Sequence, residues 1–175
     1  MNKGARITPF ALELLARDPL FAHPSTAWIL HHVLVSREDS PTAWHWFFCN
    51  SGLVTFTKEQ FLEGLRTYIA TGSNQKYAAR SLESDFQVLT RMYQSGGEDG
   101  DALLYPSVFS PLSLIEKNAY QGRYERLLNP PVPTAVFLYC LSMQASQLFP
   151  DAAILDLELL RTQITSPFLS FGLSL

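Results

Sequence analysis

Residues 24–34 read Pro-Ser-Thr-Ala-Trp-Ile-Leu-His-His-Val-Leu, and this stretch decides the fold class. Ser25 or Thr26 can cap a helix over 27–34. Trp28, Ile29, Leu30, Val33 and Leu34 cover most of that helix's circumference, interrupted only by His31 and His32. A helix that is apolar nearly all round has to be wrapped by other elements, so the stretch implies a core built of helices.

The flanks read the same way. Upstream, Thr8-Pro9 is a cap and first-turn pair for a helix carrying Phe10, Leu12, Leu14 and Leu15. Asp18-Pro19 ends it, because the residue before proline is pushed out of the α region. Downstream, Ser40-Pro41 opens a helix whose Trp44, Phe47 and Phe48 form an aromatic face at i, i+3, i+4 spacing. Thr57 and Gln60 make a capping box before Phe61, Leu62, Leu65, Tyr68 and Ile69, and Thr71 to Asn74 form a turn. Ser81 can cap a helix with Phe86, Leu89 and Tyr93 on one stripe. Residues 95–101, with the acidic glycine-rich run 96–101, read as a flexible solvated loop whose spacing is not that of a calcium-binding loop.

The last third is less regular. Ser110-Pro111 opens a short helix with Leu112, Leu114 and Ile115, while 120–128 fits a short strand or turn. Prolines 130, 131 and 133 lead into a helix over about 134–148, and Asp156 can cap another with Leu159 and Leu160. The run 168–175 alternates apolar and polar residues and reads as a strand or tail. The expected fold class is therefore mainly α, with minor β near the C-terminus, in a single domain over 1–175.

Composition narrows the function classes. The chain has 175 residues, 47% of them apolar, which is globular composition. Charged residues are only 17%, against a typical value of about 25%, so part of the surface should face a partner or a further segment. A net charge of −3 argues against a strongly basic nucleic-acid binder but leaves room for a local basic patch. The uncharged run 127–150 contains prolines, Asn129, Gln144 and Gln147, so it reads as a buried helix rather than a membrane span. No signal peptide is visible, and Cys49 and Cys140 read as buried reduced thiols, so the expected location is cytoplasmic.

Candidate chemistry is sparse. All four histidines fall between His23 and His45. His31 and His32 point about 100° apart on a helix and so do not share one ion easily. His31 reads as a hydrogen-bonded core histidine, or as a general base. His45 reads as partly exposed. Cys49 and His45 are an i, i+4 pair, but apolar surroundings would raise the thiol pKa. Lys76, Arg80 and Arg91, with Tyr77 and Tyr93, form a group that could contact phosphates, or a solvated face pairing with Glu83 and Asp85.

Several blocks, in order, resemble a known family. Asp18-Pro19-Leu20-Phe21 followed by Pro24 to His31, Thr42 to Phe48 with Asn50, Phe56 to Phe61, Ser81 to Phe86 with Arg91 and Tyr93, and Ser110-Pro111-Leu112 are similar to the motifs of domain-of-unknown-function family 4007. They span about residues 8 to 116. In this chain Ala22 and His23 replace the family's acidic pair, and Cys49 interrupts its "FFN" ending.

The resemblance implies a bacterial defence system based on DNA phosphorothioation. The family includes the SspB component of such systems, described as a DNA nickase that works alongside a cysteine desulfurase, an ATPase and an ATP pyrophosphatase. The chain resembles the central part of a longer family member, without its winged-helix-like N-terminal region. The expected function is an accessory component that binds DNA or partner subunits and supports strand nicking. If the chain cuts DNA, Asp18, His31, Asp85 and Arg91 are the expected contributors. Asp18 and Asp85 would hold a divalent ion, magnesium or manganese, and His31 would move a proton. Asp18 has a rival role as a turn or cap residue, and Asp85 as a partner for Arg80. The alternatives are a non-catalytic helical interaction module or a truncated, inactive copy.

Overall fold

The computed structural model describes residues 7–37, 41–72, 79–94, 107–118, 120–152, 154, 156–163 and 165–173. These contain eight α-helices and a small sheet. The helices are α1 (Pro9–Arg17), α2 (Pro24–Ser36), α3 (Thr42–His45), α4 (Lys58–Gly72), α5 (Ala79–Tyr93), α6 (Thr134–Leu148), α7 (Leu157–Arg161) and α8 (Pro167–Ser170). The expected loop 95–101 and Lys76 lie outside the described residues.

Local signals account for most of the helix starts. The Ala11 amide donates to Thr8 Oγ1 at 3.2 Å and opens α1. Thr57 and Gln60 form the reciprocal box at α4: the Thr57 amide donates to Gln60 Oε1 at 2.9 Å, and the Gln60 amide to Thr57 Oγ1 at 3.3 Å. Asp156 Oδ1 accepts from the Glu158 amide at 2.9 Å.

Three starts differ from expectation. α2 begins at Pro24, ahead of Ser25 and Thr26, with His23 Nδ1 accepting from the Ser25 amide at 3.2 Å. Proline at the first helical position needs no amide partner, so it extends the helix backwards. α5 is already helical at Ala79, before Ser81. At α3 the cap position is Pro41, and no side chain caps it.

The aromatic helix after Pro41 departs furthest from simple periodicity. It passes into a π-helical turn, Trp46–Asn50, where the Ser51 amide donates to Trp46 O at 2.8 Å. Ala43 through Cys49 are all in the interior across α3 and this turn. α4 runs against it so closely that a Cβ on Gly64 would lie 2.7 Å from the Trp46 ring. This close approach is the reason a glycine is accepted inside α4 despite its helix cost.

The sheet is three-stranded and antiparallel, in the order β1–β3–β2. Its strands are β1 (Thr55–Phe56), β2 (Ile115–Asn118) and β3 (Arg123–Arg126). Tyr124 pairs with Phe56 on one side and with Lys117 on the other. The minor β structure is thus internal to the chain. The run 168–175 was expected as strand or tail, and its described part instead holds α8 and a turn at Gly172. Ser166-Pro167 overrides the alternation there, because Ser166 Oγ accepts from the Phe168 amide at 3.2 Å and starts a helix.

One core joins these parts. Phe47, Phe56, Phe61, Leu65, Leu89, Tyr93, Ile115 and Phe171 are all essentially sealed from solvent. Ring pairs run through it edge-on, as in Phe61 with Phe86 at 5.1 Å between centroids and His31 with Phe48 at 4.6 Å. Among the described residues, no helix is long and apolar enough to cross a membrane.

Candidate functional site

Three polar constellations stand out against this apolar background. Two are buried and hold the fold. The third lies on the surface.

The first centres on α2. His31 is fully buried, with Nδ1 2.8 Å from the Tyr93 hydroxyl and Nε2 2.9 Å from Ser170 O. A carbonyl oxygen only accepts, so Nε2 carries the proton and Nδ1 accepts from Tyr93. Burial drives the His31 pKa down to about 3. His32 points elsewhere, as the helix requires, yet reaches the same residue: its Nδ1 lies 2.9 Å from Ser170 Oγ. Burial lowers its pKa to about 4. Both histidines are therefore neutral spacers that hold α8 on α2.

His45 is also buried, where partial exposure was expected. Its Nδ1 donates to Val35 O at 2.7 Å, and the Cys49 thiol reaches the same carbonyl at 3.5 Å. The i, i+4 pair thus finishes the last turn of α2, whose final carbonyls have no partner within the helix. Burial pushes the Cys49 thiol up to about 12, which leaves no thiolate for a dyad with His45. Cys140 is likewise buried, free and pushed up to about 12.

The second constellation is Arg126, at the buried end of β3. Nη1 donates to Phe47 O at 3.2 Å, and Nη2 donates to Phe48 O at 3.0 Å and Leu169 O at 3.1 Å. Its guanidinium also stacks over Phe48, 5.1 Å from the ring centre, and Phe47, 5.7 Å. The cation therefore sits on carbonyl dipoles and ring faces, and burial lowers its pKa to about 10. Gly172 makes room for it: a Cβ there would stand 3.1 Å from Nη2, at a φ of +65° that disfavours any other residue.

Asp18 has a positional role of the same kind on the surface. Its carboxylate accepts from the Ala22 amide at 2.9 Å, the His23 amide at 3.0 Å and the Thr26 hydroxyl at 2.6 Å. The Thr26 bond, then that of His23, holds its pKa below the usual carboxylate range. The Asp18 amide meanwhile donates to Leu14 O at 2.8 Å. One residue closes α1 and ties the loop to the first turn of α2. These partners of Asp18 and His31 include no other member of the predicted catalytic set. Asp85 is half-buried on α5, with its pKa raised by burial, and Arg91 is exposed six positions further along the same helix. The described residues contain no cluster of three His, Cys, Asp or Glu side chains placed for a metal ion.

The third constellation is the outer face of α5. Arg80, Ser84, Gln87 and Arg91 are all exposed and follow one another at spacings of four, three and four. Eleven positions make about three helical turns, so Arg80 and Arg91 lie on one face about 16 Å apart. The four side chains of this stripe all carry hydrogen-bond donors. The expected partner Glu83 turns instead to Lys58 on α4, at 3.8 Å. Ser84 and Gln87 were not singled out from the sequence, although the four-three-four spacing with the two arginines is legible there. Arg126 carried no comparable signal, because nothing local marks a strand-end arginine as buried.

A profile of the family described as "Protein of unknown function (DUF4007)" matches residues 1–174. The chain belongs to this family. No curated protein matches it in sequence. Among solved structures, a magnesium ion-bound SspB crystal structure superimposes with a TM-score of 0.81 at 21% identity, covering 94% of this chain and 51% of that one. A second SspB crystal structure gives 0.76 at 20% identity, covering 89% and 48%. This DUF4007 chain therefore has the SspB fold and spans about half the length of those SspB chains.

Proposed function

We propose that this DUF4007 chain is an SspB-like accessory component of a bacterial DNA phosphorothioation system, acting in the cytoplasm and gripping the DNA backbone through the outer face of α5. The observation that carries the DNA side of this reading is the stripe Arg80–Ser84–Gln87–Arg91, four donor-bearing side chains exposed on one face of α5. Arginines there would meet phosphates, and the serine and glutamine would add neutral hydrogen bonds that fix register without reading sequence. Family membership and the SspB fold support the system, and with it a cysteine desulfurase, an ATPase and an ATP pyrophosphatase as partners.

Strand nicking in this reading is supported by the chain rather than performed by its described residues. Asp18 spends its carboxylate on two amides and a hydroxyl, and His31 is sealed from solvent. Among the described residues, no three His, Cys, Asp or Glu side chains are grouped where they could hold a metal ion.

Titration of a labelled duplex at several salt concentrations tests the reading. Arg80→Ala and Arg91→Ala should each weaken binding evenly across sequences and lower the salt slope by about one. Unchanged affinity in both variants rejects the interface. A supercoiled-plasmid assay separates binding from cutting. Relaxation with magnesium or manganese that a chelator abolishes would make the chain itself a nickase and retire the accessory role.

A further inference from the structure

The hairpin between β2 and β3 carries an aromatic side chain that packs on nothing. Tyr120 is 103% exposed, whereas every other described Phe, Tyr or Trp is less than half exposed. Turn chemistry does not call for it. Asn118 and Gly122 make the turn: the Gln121 amide donates to Asn118 O at 3.3 Å and to Asn118 Oδ1 at 3.2 Å, and Gly122 takes a φ of +61°. Tyr120 is thus presented on a fixed ribbon with nothing in the chain to hold.

The charges of the hairpin are sorted along its length. Arg123 is exposed opposite Asn118, where the strands enter the turn, and Lys117 is exposed one position before Asn118. Arg123 forms no ion pair among the described residues. The acids lie lower on the ribbon. Glu116 and Glu125 face each other two register positions below, about 7 Å away. Two carboxylates side by side repel an anion from that part of the sheet and leave the tip open to one.

A bare ring beside cations fits a polyanion that also offers flat faces. Nucleic acid has that chemistry: a base stacks on the ring while a neighbouring cation takes a phosphate. Inside a duplex each base is covered by its neighbours, so the ring needs an unpaired base. A protein pocket that takes a tyrosine is desolvated, and cations at its rim add little.

We infer that the tip of the β2–β3 hairpin is a single-strand contact, in which Tyr120 stacks on an unpaired base of DNA and Arg123 holds an adjacent phosphate. The choice of DNA rests on the function proposed above. The site does not, since it lies on the hairpin and not on α5.

Fluorescence anisotropy with a labelled oligothymidine of about 15 nucleotides, and with a blunt duplex, tests the inference. Tyr120→Ala should weaken strand binding about five- to a hundredfold, and Tyr120→Trp should keep it. Arg123→Ala should lower the salt slope for the strand by about 0.7. Both Tyr120 variants should keep the wild-type thermal transition and duplex affinity, because the side chain touches nothing else. Strand binding that ignores Tyr120→Ala overturns the inference, and so does a wild-type chain that does not bind the strand. The two DNA contacts fail separately. Strand binding that depends on Tyr120, with duplex affinity unchanged in Arg80→Ala and Arg91→Ala, rejects α5 and keeps the hairpin. The converse result rejects the hairpin and keeps α5.

Discussion

The phenol of Tyr93 donates to Nδ1 of His31 at 2.8 Å, joining α5 to α2 across the aromatic core. The other imidazole nitrogen is committed to Ser170 O, so one ring bridges three helices without a charge. Replacing it with an apolar ring-sized residue removes two bonds and orphans both partners. His31→Leu should therefore cost about 2–5 kcal/mol of unfolding free energy, measured by urea denaturation. A small change would mean that water or a rearrangement satisfies Tyr93 and Ser170.

Acid should loosen the fold through the same residues. His31 and His32 titrate at about 3 and about 4 in the folded chain, against 6.5 for an ordinary imidazole. Their contribution is complete above about pH 6.5 and is lost as the pH falls toward the folded values. In that window the unfolded chain binds up to two more protons, so stability should drop by about 1.4 kcal/mol per pH unit for each histidine. Urea midpoints at pH 7 and pH 5 read this slope. His32→Asn should flatten it by about half, and an unaltered slope would remove His32 from the account.

Charge alone should not replace Arg126. Its fork serves Phe47 O, Phe48 O and Leu169 O at once, which a lysine ammonium cannot span in the same plane. Arg126→Lys should cost about 3 kcal/mol through unmet carbonyls, seen as an earlier thermal transition. A transition at the wild-type temperature would show that the positive charge, not the fork, is what the site requires.

Asp18 offers a clean separation between architecture and chemistry. Asp18→Ala removes the acceptor for the Ala22 and His23 amides, and hydrogen exchange at those two amides should quicken while the α5 and α6 amides keep their protection. If DNA affinity also stays constant, Asp18 is confined to the elbow between α1 and α2. Loss of plasmid cutting with both amides still protected would instead return it to catalysis.

What could be read from the sequence follows from how local each signal is. The Thr8, Thr57 and Asp156 caps are decided within four residues, and the structure has all three. The burial of α2 was legible because its apolar residues leave no polar face, and His31 as a core histidine followed from that setting. Its partners were not legible. Tyr93 is 62 positions away and Ser170 is 139, and no spacing rule connects them. The exposure expected for His45 failed because its partner is the Val35 carbonyl at the end of α2, a contact between two helices that no spacing within α3 announces. The outward face of α6 departs from the sequence reading for a different reason: lack of charge reads as burial, whereas Leu138 and Tyr139 are exposed among the described residues. On α5, the arginines are visible as a group in the sequence, but the pairing of Glu83 with Lys58 of α4 depends on how two helices pack and is not.

The way Ser166 to Leu173 enters the core bears on the order of biosynthesis. Phe171 is buried beside Trp28, 5.6 Å between ring centres, and the carbonyls of Leu169 and Ser170 take bonds from Arg126 and His31. During translation, α2 leaves the ribosome about 130 residues before these partners do, at a speed of roughly 5–20 residues per second. For some seconds the nascent helix holds two histidines and a tryptophan ready for a segment that has not been made. The domain therefore closes only after Ser166 to Leu173 has been made, although the helix that receives this segment is made first.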